Sequence, residues 1–159
     1  MLNAAAKKSV LRLFTYGLYA VTCAHEGVAN VFTANWLSQV SFEPPMVAVS
    51  VENDSASLPL ILASGLFAVD VLETGQRELA GALGKPRART GDKLATVAHT
   101  TTANGLPLLA DALGYVECRV TGHLATGDST LVVGEVIAAG LQREGEPLTM
   151  REAGFRHSG

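Results

Sequence analysis

The run 113-LGYVECRVTGHLATGDSTLVVGEVIAAGLQ-142 constrains the fold more than any other stretch. Two β-rich segments flank Ala125-Thr126-Gly127-Asp128, a sequence suited to a turn. In the first segment Val116, Cys118 and Val120 share one face, and Glu117, Arg119 and Thr121 share the other. A long antiparallel pair with one apolar face must bury that face against further β structure or helices. Residues 17–34 offer a second hairpin, around His25-Glu26-Gly27. The β-branched run 46-MVAVSVE-52 predicts a strand buried on both faces, and 66-LFAVDVL-72 another.

Helices are few and short. Residues 5–14 place Val10, Leu11 and Phe14 on one helical face. Residues 53–65 predict a helix with Ser55 or Ser57 as N-cap, Pro59 in the first turn and Gly65 as the stop. A third helix is expected over 75–84. Strand–helix–strand alternation occurs once, around 46–72, which argues against a parallel sheet. A closed or nearly closed antiparallel barrel is expected, in a single domain over 1–159. Residues 31–46 look like a polar loop carrying the only tryptophan. Residues 85–109 read as an irregular excursion holding Lys85, Arg87, Arg89 and Lys93, and 147–159 as an extended piece with a polar end.

Only 17% of residues are charged, against 48% hydrophobic, so some surface is expected to be covered by a partner subunit or a ligand. The net charge of -3, with no basic run, disfavours nucleic acid. Cys23 and Cys118 show no metal or redox spacing and read as buried thiols of a reducing compartment. The first residues lack the apolar core of a signal peptide, and 58-LPLILASGLFAVDVL-72 is too short and too broken to span a bilayer. A soluble cytoplasmic protein without a membrane partner is expected.

The phosphate-binding fingerprints GxGxxG and GxxxxGK[ST] are absent, as is the nucleophile motif GxSxG. His25, His99, His123 and His157 show no metal-ligand spacing, and each reads as a surface or satisfied imidazole. Two polar clusters remain. Thr33, Asn35, Ser38, Gln39 and Ser41 surround Trp36, a mixture of donors and acceptors that suits a flat heteroaromatic ring. The second, 50-SVENDSAS-57, opens a helix, where N–H groups and hydroxyls suit a phosphate. Either cluster alone reads as a polar turn. Together they fit a phosphate-bearing cofactor.

The order and spacing of TANWLSQVSFEPPMVAVSVENDS, ASGLFAVDVL with Gln76, GLPLL, ALGYVECRV and GDSTLVVGEV resemble the flavin reductase-like family with the FMN-binding split-barrel fold. The variant with Asn35-Trp36 and VSFEPP is most similar to its flavoredoxin-like branch. The resemblance implies a six-stranded antiparallel Greek-key split barrel, and a homodimer with a flavin near each subunit interface. FMN is the implied cofactor, with FAD as the alternative. Thr33, Ala34, Asn35 and Trp36 would line the ring and ribityl portion, with Ser38 and Gln39 nearby. Ser50, Val51 and Glu52 would approach the ribityl chain and phosphate, and Ser55 and Ser57 would receive the phosphate. Arg87 would neutralise it, with Lys85 or Arg89 as alternatives.

The implied function is electron transfer from NAD(P)H through the flavin to free flavin, an oxygenase or another acceptor protein, with no catalytic side chain required. The alternative is an FMN-bearing electron carrier without NAD(P)H activity of its own. One departure bears on that choice. The family's reductases have G-D-H in the last hairpin, its histidine set for the nicotinamide, where this chain has Gly127-Asp128-Ser129.

Overall fold

A computed structural model describes residues 1–158. Nine strands and five short helices are present among them. The helices are α1 (Ala4–Leu11), α2 (Ser57–Ser64), α3 (Arg77–Leu83), α4 (Arg87–Thr90) and α5 (Met150–Ala153). The strands are β1 (Tyr19–His25), β2 (Val28–Ala34), β3 (Leu37–Phe42), β4 (Pro45–Glu52), β5 (Leu66–Val71), β6 (His99–Thr101), β7 (Pro107–Leu109), β8 (Gly114–Ala125) and β9 (Ser129–Leu141). The fold is mainly β. Seven strands form one antiparallel sheet in the order β2-β1-β5-β8-β9-β4-β3, and β6 and β7 form a separate ribbon.

The sheet curls around a single interior. Val21 and Cys23 of β1, Val49 and Val51 of β4, Phe67 and Val69 of β5, Cys118 of β8 and Val132 of β9 meet there, with Leu58 and Ile61 of α2. Strands near both ends of the sheet order contribute, as the pleat of a closing barrel requires. Gly134 makes room for Phe67: a Cβ there would lie 2.7 Å from the ring. On the outside, Ala20, Val31 and Leu72 pack beneath α3 and α5 through Ala80, Leu83, Met150 and Ala153. A smaller outer cluster, Ala68 with Leu106 and Leu108, lies under the β6–β7 ribbon.

Four expectations change. The main sheet has seven strands rather than six, because residues 37–42 of the supposed loop form β3 and pair with β4. None of its side chains is buried, and Val40 and Phe42 are exposed, so no apolar alternation marks it as half-buried. The 147–159 piece is not wholly extended but holds α5, where the Thr149 hydroxyl accepts from Glu152 N and Gly154 ends the helix in the left-handed conformation. The 85–109 excursion carries α4, a 3-10 turn (Lys93–Thr96) and the ribbon, and it buries Lys93, Leu106, Leu108 and Leu109. Finally, α1 forms where expected, but its Val10 stays exposed, as does Phe14 just beyond it, and no residue of α1 is buried.

Candidate functional site

A cavity of about 640 Å³ opens where β2 and the link after it, the end of β4, the approach to α2, α3, the 85–93 segment and the residues after α5 converge. That volume lies within the roughly 300–1,000 Å³ common for small-molecule and cofactor sites. Of the residues singled out in sequence, Thr33, Ala34, Asn35, Trp36, Ser50, Glu52, Ser55 and Arg87 line it. They arrive from separate elements: the end of β2 and its continuation, the end of β4, the approach to α2, and α4.

The others do not reach it. Ser38 and Gln39 lie on β3, exposed, bonding only to main-chain carbonyls nearby: Ser38 Oγ donates to Gln39 O and Gln39 Nε2 to Ser41 O. Val51 is fully buried in the barrel interior, because alternation along β4 sends Ser50 and Glu52 to the other side. Ser57 is also fully buried, its Oγ accepting from Asn30 Nδ2 at 2.9 Å. It caps nothing: Ala56 is the N-cap of α2, and Ser55 Oγ accepts from Ser57 N. The alternatives Lys85 and Arg89 are both exposed, and only Lys85 lines the cavity.

One end of the cavity is buried and polar. Asn30, on β2, is 3% exposed, and its Oδ1 has no hydrogen-bond partner among the described residues. Arg87 is half-buried and donates from Nη1 to Ala29 O at 2.6 Å. Lys93 is buried and donates from Nζ to Leu83 O at 2.6 Å and Lys85 O at 2.8 Å. Burial, and then the neighbouring Arg87 charge, lower the Lys93 pKa from its ordinary value. Both cations keep further N–H donors beyond these bonds. Ser55 and Ala56, at the start of α2, line the same cavity.

The other end is exposed and aromatic. Trp36 and His157 stand with ring centroids 5.6 Å apart and planes tilted by 42°. His157 Nε2 lies 3.4 Å from Glu52 Oε1. Asn35 is buried, and its Nδ2 donates to Met150 Sδ and, at 3.1 Å, to His157 O. Ser129 also lines the cavity, opposite Glu52 in the β4–β9 register, with its Oγ donating to Asp128 Oδ1. A cationic end joined to an aromatic end suits an elongated ligand with a phosphate and a planar ring. The unpartnered Asn30 oxygen suits a hydroxyl donor on such a ligand.

Sequence reasoning missed Asn30, Lys93 and His157. A polar residue within the apolar run VANVF was a usable signal for Asn30. Lys93 belonged to the basic excursion, with nothing local to separate it from its neighbours. His157 read as an ordinary surface imidazole.

Residues 11–159 match the family described as flavin reductase like domain. The reductase component of a 4-nitrophenol 4-monooxygenase/4-nitrocatechol 2-monooxygenase from Rhodococcus opacus is 33% identical over 156 residues, 98% of this chain and 82% of that protein. Diflavin flavoprotein A 1 of Synechocystis sp. is also 33% identical, over 85% of this chain, but this chain spans only 24% of its length. An NADH:FAD oxidoreductase of Streptomyces globisporus superposes with a TM-score of 0.84 at 29% identity, covering 99% of this chain and 95% of that one. By its fold, its cavity and these matches, the chain belongs to the flavin reductase-like family.

Proposed function

We propose that this chain binds FMN in the cavity and works as an NAD(P)H-dependent flavin reductase, passing electrons to free flavin or to an oxygenase partner. The observation that carries the reading is one cavity with Asn30, Ser55, Arg87 and Lys93 at its buried end and Trp36 at its exposed end. Arg87 and Lys93 would meet the phosphate, helped by the start of α2. Asn30 and Ser50 would meet the ribityl hydroxyls, and Ala34, Asn35 and Trp36 the ring. When bound, the flavin supplies the hydride and electron chemistry. The protein would position the ring through Ala34, Asn35 and Trp36. FAD is the alternative cofactor.

A second reading, an FMN-bearing electron carrier without NAD(P)H activity of its own, is favoured by Ser129. That hydroxyl is bonded to Asp128 and offers no ring to a nicotinamide.

We further propose a homodimer in the cytoplasm. Val40 and Phe42 on β3, with Leu13, Phe14, Leu124 and Leu141, are exposed apolar side chains that a second copy would cover. Both cysteines are free and buried, as a reducing compartment requires. No helix among the described residues is long and apolar enough to cross a membrane.

The purified protein should be yellow, or become so on adding FMN. Anaerobic stopped-flow mixing with NADH or NADPH should bleach the flavin band rapidly. A band that holds on mixing assigns the chain to the carrier reading. A colourless protein that takes up neither FMN nor FAD rejects both.

A further inference from the structure

Gly154 has a φ of 72°, the left-handed conformation that turns the chain out of α5 and toward the exposed end of the cavity. Phe155 follows, half-buried against the outer core and 5.2 Å from the Arg77 guanidinium. That residue anchors the segment. Beyond it, residues 156–158 belong to no strand or helix. His157 is instead held by three separate groups. The buried Asn35 amide bonds its carbonyl, the Glu52 carboxylate faces its Nε2, and the Trp36 indole lies beside its ring. Asn35 and Trp36 stand in the link between β2 and β3, and Glu52 at the end of β4. Its main chain is tied by Asn35 and its ring is flanked by Glu52 and Trp36, so in a segment without regular structure its place is set by the cavity wall.

We propose that His157 is a cofactor-retaining residue. Its ring closes the exposed end of the cavity beside Trp36 and sets how slowly bound flavin leaves. The proposal rests on the flavin reading above. His157 and Glu52 are both largely solvent-exposed, with side-chain accessibilities of 63% and 59%. Contacts of that kind are individually weak. The wall they form therefore opens readily, and small changes in it alter the residence of what lies behind. In related complexes such changes act mainly on dissociation, not on association. Retention decides whether a flavin stays as a resident group or exchanges as a substrate, which separates the two functional readings.

The full chain loaded with FMN tests this directly. Trp36 is the only tryptophan, so its emission reports departure of a flavin lying beside it. After rapid dilution, His157→Ala should release FMN about tenfold faster than the native chain, with association changed by less than about twofold. The apo melting temperature should be unchanged. His157→Phe, which keeps a ring but no nitrogen, should restore most of the slow release. Unchanged release in His157→Ala, in a protein that binds FMN, overturns the proposal and leaves the flavin reading standing. So does a fall in affinity that comes from slower association or from a lower apo melting temperature. A native chain that takes up no FMN overturns the flavin reading and this proposal together.

Discussion

Two buried side chains each leave one oxygen without a hydrogen-bond partner among the described residues, Asp70 Oδ2 and Asn30 Oδ1. They sit in contrasting places. Asp70, on β5, is sealed beneath the β6–β7 ribbon, fully buried, with its other oxygen accepting from Leu109 N at 3.1 Å. Asn30, on the edge strand β2, faces the cavity. A buried polar atom without a partner costs free energy wherever it lies, but the remedy differs. The sealed carboxyl can take up a proton. The amide cannot, so its remedy is a donor that arrives from outside. The contrast separates a structural cost from an incomplete binding site.

The ribbon over Asp70 is the larger test. Burial pushes the Asp70 pKa up to about 7 from 3.8, against the lowering effect of the Leu109 N–H bond. In the unfolded chain the carboxyl ionises near its ordinary value, so the folded state holds the proton more tightly. This contribution to stability is fully present below about pH 3.8 and is lost as the pH rises toward 7. Asp70→Asn keeps the acceptor for Leu109 N and removes the charge. It should stabilise the protein at pH 8 by up to about 4 kcal/mol, at about 1.4 kcal/mol per pKa unit. At pH 4 the gain should vanish. Denaturant unfolding at the two pH values checks it, and an equal effect at both would mean that the carboxyl is not the titrating group.

The cavity side is tested by Asn30→Leu. The substitution removes the unpartnered oxygen and also the donor to Ser57 Oγ. Losing that bond and losing the orphan act in opposite directions, so the apo protein should change by less than about 1 kcal/mol. FMN affinity should fall roughly tenfold, because a ligand donor would lose its acceptor. Equilibrium titration of FMN reads the second effect and thermal melting the first. Unchanged affinity would make Asn30 a packing defect like Asp70, and the contrast between them would collapse.

The same contrast explains what the sequence made legible. The barrel strands announced themselves because their partners are local or their faces alternate: Val116, Cys118 and Val120 beside Glu117, Arg119 and Thr121, and Gly65 stopping α2 as expected. β3 stayed hidden because an exposed edge strand needs no apolar alternation. α5 does carry a local signal, since Thr149 and Glu152 have the spacing of a capping box and Gly154 the place of a C-terminal stop. Part of the cavity was legible because Thr33 to Trp36 and Ser50 to Ser55 are short runs rich in polar side chains. The rest depended on distance along the chain. His157 meets Asn35 across 122 positions, and Lys93 meets Leu83 because a 3-10 turn folds back on α3. No local pattern encodes either contact.

Thr33 supplies the smallest and most discriminating test. It lies three residues from Asn30 on β2, it also lines the cavity, and its hydroxyl is already satisfied, with Oγ1 donating to Ala80 O. Ala80 O also accepts from Gly84 N, so deleting the hydroxyl orphans nothing. Thr33→Val should therefore cost about 1 kcal/mol of stability. For a chain of this size that lowers the melting temperature by about 2–4 °C. A hydroxyl whose proton is committed to α3 can only accept from a ligand. FMN affinity should thus fall by no more than about threefold, less than for Asn30→Leu. If Thr33→Val instead weakens FMN more than Asn30→Leu does, the satisfied hydroxyl is the cofactor contact. The unpartnered amide oxygen would then mark no ligand at all.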